Sequence, residues 1–183
     1  MPKTHYLALL RGINVGGNNI IKMADLKACF EQMGFEDVST YIQSGNVIFA
    51  SEEKNIAKLT DLIEKTLTKR FNYQSKIVLL NSNMLKEVIE EAPENFGKFP
   101  DKYRYDVIFI KVPLTAHEAI KDVPLKEGVD KAHNGQHTLY FSRLISRATQ
   151  SHLSKIIKLP IYKNMSIRNW NTTTKLWSMM EKL

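Results

Sequence analysis

Apolar residues recur along the chain in two alternating rhythms. Residues 6–10 (Tyr-Leu-Ala-Leu-Leu) form a short apolar run, and Met23, Leu26, Phe30 and Met33 then recur at helical spacing until Gly34, which predicts a strand followed by a helix. Two runs of strand character, over 38–43 and 46–51, flank Ser44-Gly45 and predict a hairpin with a two-residue turn. Ile56, Leu59, Ile63 and Leu67 mark a second helix, and the run over 76–80 marks a fourth strand. A helix over 84–92, stopped by Pro93, leads into a linker over 94–104. The same order then repeats: a strand over 105–111, a helix opened by the capping box Thr115 to Glu118, and a hairpin of 129–133 and 136–142 around Asn134-Gly135. A helix carrying Leu153, Ile156 and Ile157 ends before Pro160, and a strand over 165–170 follows. Asn171 is positioned to cap a terminal helix bearing Leu176, Trp177 and Met180.

The order βαββαβ occurs twice, so the pattern predicts an α/β (α+β) protein of two tandem ferredoxin-like units with antiparallel sheets and extra helices. The predicted boundaries are 1–82 for the first unit, 83–104 for a connector helix and linker, and 105–183 for the second unit with its C-terminal helix. The first strand of each unit is apolar at consecutive positions, whereas a sheet wet on one side alternates, so both faces of each sheet are expected to be covered. That argues against an RNA-binding sheet, which displays aromatic residues on an open face. Asn46-Val47-Ile48-Phe49-Ala50 does not carry that signature.

The 183 residues, 43% hydrophobic and 25% charged, have the composition of a soluble globular protein. The amino terminus lacks an apolar signal core and no apolar run approaches a membrane span, so cytoplasmic residence without membrane association is expected. The single cysteine, Cys29, excludes an intramolecular disulfide and a cysteine metal cluster. Its helical setting predicts a buried thiol. Net charge is +7, and it is unevenly spread: +2 over residues 1–82, −2 over 83–140 and +7 over 141–183. Convergence of Arg143, Arg147, Lys155, Lys158 and Arg168 on one face would favour nucleic acid as partner, and scatter would disfavour it.

Residues 11–19 (Arg-Gly-Ile-Asn-Val-Gly-Gly-Asn-Asn) join the first strand to the first helix. In the predicted sheet, strands one and two run the same way, so this loop and the Ser44 turn emerge at one end. That places Arg11, Gly12, Asn14, Gly16, Gly17 and Asn18 near Ser44, Gly45 and Asn46, with residues 72–75 reaching the same edge. Such a cluster can clamp an anion through the guanidinium and backbone N–H groups, and the same residue types also make ordinary turns. The loop matches neither a Walker phosphate loop nor a dinucleotide fingerprint, and no cofactor is expected. Arg168, Asn169 and Asn171, around Trp170, form a second candidate anion site at a helix start. His133 and His137 flank a turn with Asp130 nearby, but lack a third ligand, and no metal is expected. Glu90-Glu91 reads as solvated charge. No nucleophile triad or carboxylate pair can be inferred, so the catalytic residues are unknown, with His5 and His152 the available titratable groups near a site.

The segments Leu10-Arg11-Gly12-Ile13-Asn14-Val15-Gly16-Gly17, Thr40-Tyr41-Ile42-Gln43-Ser44-Gly45-Asn46-Val47-Ile48-Phe49 and Arg168-Asn169-Trp170-Asn171-Thr172 resemble the bacterial domain-of-unknown-function family 1697. The resemblance implies tandem ferredoxin-like units and bacterial origin, and implies no reaction. Three readings follow. The first is a binding protein for a phosphate-bearing ligand, nucleic acid or nucleotide. The second is an enzyme acting on a small anionic substrate at the Arg11 loop, with Ser44 or Tyr41 participating. The third is a structural or protein-interaction module whose sheet faces pair.

Overall fold

A computed structural model of the protein describes residues 2–183. The chain divides into two compact units: residues up to Asn83 together with Met179–Leu183, and Met84–Ser178.

The first unit contains β1 (Thr4–Leu10), α1 (Met23–Gln32), β2 (Glu36–Tyr41), β3 (Asn46–Ser51), α2 (Ile56–Phe71) and β4 (Ile77–Asn81). Its sheet has the order β2-β3-β1-β4 with every neighbour antiparallel, the arrangement predicted from the βαββαβ pattern. Tyr6, Ala8 and Leu10 pack with Val47 and Phe49 against Leu26, Phe30, Ile63 and Leu67 of the two helices. Leu7 and Leu9 point to the other face and are equally buried, so the doubly apolar strand reflects a sheet covered on both sides. Asn55 caps α2 by accepting from the Lys58 backbone N–H, and Asn72 ends it in the left-handed conformation. Cys29 is buried, and burial raises its thiol pKa.

The second unit repeats the order with β5 (Tyr103–Ile110), α4 (Ala116–Asp122), β6 (Asp130–Asn134), β7 (Thr138–Leu144), α5 (Leu153–Ile156) and β8 (Met165–Asn169), giving the sheet β6-β7-β5-β8. α3 (Ser82–Glu90) precedes it and α6 (Trp170–Met180) ends it. The Thr115 to Glu118 capping box is present in full, and the hydrogen bonds of Thr115 lower the Glu118 pKa. Ile108, Ile110, Leu139 and Phe141 pack against Ala116, Ala119 and Ile156.

Several predicted boundaries move, each for a local reason. The first hairpin turn is four residues long, because β2 stops at Tyr41, which pairs with Asn46. The Asn46 side chain donates to the Tyr41 carbonyl and to Ser44 Oγ, and the Leu10 N–H donates to the Gly45 carbonyl at 2.8 Å. A Cβ on Gly45 would lie 2.8 Å from Leu10 Cβ and from Ile13 Cδ1, so the turn is built flush against the end of β1. In the second hairpin the corner is Gln136-His137 rather than Asn134-Gly135, since the Gly135 N–H donates to the Thr138 carbonyl. Glu91 is exposed, as expected, but its Oε2 also accepts from the Gln136 N–H at 2.8 Å, and a Cβ on Gly135 would lie 2.7 Å from that oxygen.

The linker over 94–104 gives its end to β5, which starts at Tyr103. The predicted helix near Leu153 is a single turn between the 3-10 segments Ile145–Gln150 and Pro160–Asn164. Asn169, not Asn171, caps α6: its Oδ1 accepts from the Thr172 N–H at 2.7 Å, so the strand ends at Asn169, one residue earlier than predicted.

Candidate anion-binding cleft

The structure brings the two predicted loops of the first unit together. The Asn14 side chain donates to the carbonyls of Ile21 and Gln43 and accepts from the Ile21 N–H, tying both ends of the glycine loop to the Ser44 turn. Asn19 donates to the Gly12 carbonyl. Gly16 and Gly17 take positive φ at the corner between Val15 and Asn18, where the Asn18 N–H donates to the Val15 carbonyl. The Arg11 N–H donates to the carbonyl of Lys76, the residue between the predicted 72–75 segment and β4. Asn14 and Asn46 thus do structural work in the loops, and Asn46 is fully buried. His5 does not serve the site: it lies near the start of β1, roughly 20 Å of strand from Arg11, with its Nε2 3.6 Å from Asp37.

In the second unit, alternation along the strands separates the basic residues. Arg104 pairs with Arg143 and Val107 pairs with Arg168, so Arg143 and Arg168 lie on opposite faces of the sheet. The Arg168 guanidinium donates to the Ile167 carbonyl, and burial pushes its pKa down to about 10. Arg147 is engaged with Gln150, and Lys155 with His152. Arg143 and Arg168, two of the five basic residues named for convergence, therefore do not share a face. His133 pairs with Tyr140, while His137 Nε2 lies 3.0 Å from a Glu87 oxygen, so the two histidines do not meet. Among the described residues no histidine, cysteine and carboxylate cluster could hold a metal ion.

A different group of residues forms a cleft of about 390 Å³ in the same unit. β8 pairs with β5 only as far as Asp106 and Asn169, whereas β5 continues to Tyr103 alongside β7. The chain turns away into α6 at this point and leaves a notch beside the end of β5. Arg104, Asp106, Arg143, Asn169, Trp170 and Asn171 line it, with Tyr103, Tyr105, Gly97, Pro100 and Ile145. Phe96 meets the rings of Tyr105, Tyr140 and Trp170 edge-on at 4.8, 5.4 and 5.2 Å. A Cβ on Gly97 would fall 2.3 Å from Trp170 Cδ1, so the indole rests directly on the Gly97 backbone.

Two like charges stand opposite each other in this cleft. Arg104 and Arg143 are direct cross-strand partners, placed on the face that Ile108 and Phe141 turn toward the helices. Asp106, on the same face, has a side chain 13% exposed and lies 3.8 Å from Arg143 Nη2, beyond hydrogen-bond distance. Asp106 Oδ2 and Arg143 Nε are both buried without a hydrogen-bond partner. Burial raises the Asp106 pKa, against the opposing pull of Arg143 and then Arg104. Asp130, opposite Arg143 on β6, accepts through Oδ2 from the N–H groups of Lys126 and His152.

The cleft contains two of the three residues of the second predicted anion site, Asn169 and Asn171, and excludes Arg168. A strand starting at 105 leaves Arg104 outside the sheet and hides its register with Arg143. The signal was present in Arg104 and Asp106, two charged residues at alternate positions leading into Ile108 and Ile110 on a core face.

A family model described as "Protein of unknown function (DUF1697)" matches residues 3–140. The chain belongs to this family. The solved structure of the conserved bacterial protein SP0830 from Streptococcus pneumoniae is similar over 98% of this chain and 99% of its own, with a TM-score of 0.84 and 27% sequence identity. No curated protein matches the chain. The DUF1697 match ends before β8, so Asn169, Trp170 and Asn171 lie outside it, whereas the likeness to SP0830 extends over nearly the whole chain. No described helix is long and apolar enough to cross a membrane.

Proposed function

We propose that this DUF1697 protein binds a small phosphate-bearing molecule, and that its site is the Arg104 and Arg143 cleft of the second unit. The observation that carries the reading is the cross-strand pair itself. Like charges directly opposite on adjacent strands are destabilising, and an anion seated between them reverses that effect. Arginine forks suit phosphate oxygens, and the Trp170, Tyr103 and Tyr105 rings offer apolar surface to the remainder of such a ligand. A nucleotide satisfies both halves of the cleft. The separation of Arg143 from Arg168 across the sheet favours a small molecule over nucleic acid, which needs a continuous basic face.

The test is calorimetric titration and thermal shift with nucleoside monophosphates and sugar phosphates, using wild type, Arg104→Gln and Arg11→Ala. Arg104 is exposed, so its substitution leaves the fold intact. Stabilisation by mass action that Arg104→Gln loses and Arg11→Ala keeps is the expected result. Stabilisation lost only in Arg11→Ala would move the site to the glycine loop and refute this assignment.

A further inference from the structure

An anion site with a carboxylate in its wall is selective about protons. Asp106 lines the same cleft as the two arginines, and its carboxyl group lies too far from Arg143 for a hydrogen bond. Its Oδ2 has no hydrogen-bond partner, and neither has Arg143 Nε. The other charges on this face are Arg104 and Asp130; Asp130 Oδ2 is occupied by the backbone N–H groups of Lys126 and His152, while its Oδ1 is buried without a hydrogen-bond partner. The partner each orphaned atom lacks is different: Arg143 Nε–H needs an acceptor, and the Asp106 carboxylate needs a donor.

A single chemical group can supply both. Tetrahedral oxyanions that keep a hydrogen, such as inorganic phosphate or a terminal phosphate monoester in its monoanionic form, present P–O⁻ acceptors and a P–OH donor within one group. Sulfate near neutral pH presents four acceptors and no donor. A phosphodiester likewise has no proton on its free oxygens. Either would bring bare anionic oxygens against the carboxylate, and like-charge contact at that range is strongly unfavourable. The terminal torsion of an aspartate is broad and close to two-fold, so a small swing of the carboxyl plane presents either oxygen to the cleft.

We propose that Asp106 makes this cleft selective for hydrogen-bearing phosphate, accepting the P–OH hydrogen bond while Arg143 and Arg104 hold the P–O⁻ oxygens, so that sulfate and phosphodiesters are rejected. The proposal rests on the anion-binding reading above and adds the class of anion. It assigns Asp106 a part in specificity by repulsion: the residue weakens wrong ligands more than it strengthens the right one.

The experiment compares inorganic phosphate with sulfate at equal ionic strength near pH 7, where every phosphate species retains at least one hydrogen. Titrations are run on wild type, Asp106→Asn and Arg104→Gln. Wild type is expected to prefer phosphate by tenfold or more, on the order of the penalty for like-charge contact. The nearly isosteric Asp106→Asn keeps phosphate binding and gains sulfate binding, so the preference falls to about onefold to threefold. Dimethyl phosphate, a diester without a P–OH, follows sulfate in both proteins. Equal binding of phosphate and sulfate by wild type, with both lost in Arg104→Gln, overturns the role of Asp106 while leaving the site in place. Failure of wild type to bind phosphate overturns both the site and the selectivity. Unfolding of Asp106→Asn, read by circular dichroism, is answered by Asp106→Ser, for which the same loss of selectivity is expected.

Discussion

The Asn14 side chain donates to the Gln43 carbonyl across 2.9 Å, joining the loop after β1 to the turn between β2 and β3. Two further hydrogen bonds, both to Ile21, close the glycine loop on itself. Asn14 also has φ of 53°, a conformation asparagine tolerates better than residues with longer side chains. Asn14→Ala is therefore expected to lower stability by about 1–3 kcal/mol, since it strands partners of three hydrogen bonds and strains the backbone. Urea unfolding measures this directly, and a loss under about 0.5 kcal/mol would show that the loop holds itself without the side chain.

The buried Asp106 carboxyl gives a pH-dependent stability whose sign can be worked out. Burial raises its folded pKa above the unfolded value, so the native state binds the proton more tightly. Stability contributed by Asp106 is then fully present below the unfolded carboxylate pKa and is lost as pH rises through the folded value. Asp106→Asn is expected to melt higher than wild type at pH 7, by about 2–4 °C for each kcal/mol gained. The difference should close as the pH is lowered through the acid range. A variant that melts lower at neutral pH would mean that Arg143 compensates the carboxylate fully.

Gly97 supports the indole of Trp170, and an added methyl would occupy the place of its Cδ1. Gly97 also has φ of 85°, so Gly97→Ala combines a clash with backbone strain. Trp170 is expected to leave its place against Phe96, shifting its fluorescence to the red in a Trp177→Phe background. Phosphate binding should weaken with it. An unshifted spectrum would show that the segment around residue 97 yields instead of the indole.

Tyr140 fills the other face of the second sheet, and its hydroxyl donates to the Val88 carbonyl at 2.6 Å. Burial pushes its pKa up to about 12. Tyr140→Phe removes the donor and leaves a buried carbonyl of α3 without it, for an expected loss of about 1–2 kcal/mol. Hydrogen exchange should report the loss at the C-terminal end of α3. A change spread evenly over the unit would show that α3 does not depend on this bond.

Both βαββαβ orders were legible because the elements carry their own signals: helical spacing from Met23 to Met33, the Thr115 capping box, and strands too apolar to alternate. Turn corners were not. Asn134-Gly135 has the strongest local preference for a hairpin corner, yet the corner falls two residues later, where the Gln136 N–H donates to the carboxylate of Glu91, just past the end of α3. That interaction spans 45 positions, and no window of sequence contains it. The candidate site divides similarly. Asn169 and Asn171 were visible as a polar group at a helix start, whereas the meeting of Arg104 with Arg143 is a matter of strand register, fixed only when β5 and β7 pair.

The cleft also has a place in time. Its floor needs β5 and β7, but its mouth is shaped where β8 ends and α6 begins, the last strand and last helix in chain order. During synthesis the amino-terminal sheet has all four of its strands before any of β5 exists. The arginine pair can then form as soon as β7 emerges, still without Asn169 or Trp170 beside it. A ribosome stalled before β8 would thus hold a nascent chain with Arg104, Asp106 and Arg143 already brought together and the Trp170 wall of the cleft not yet built.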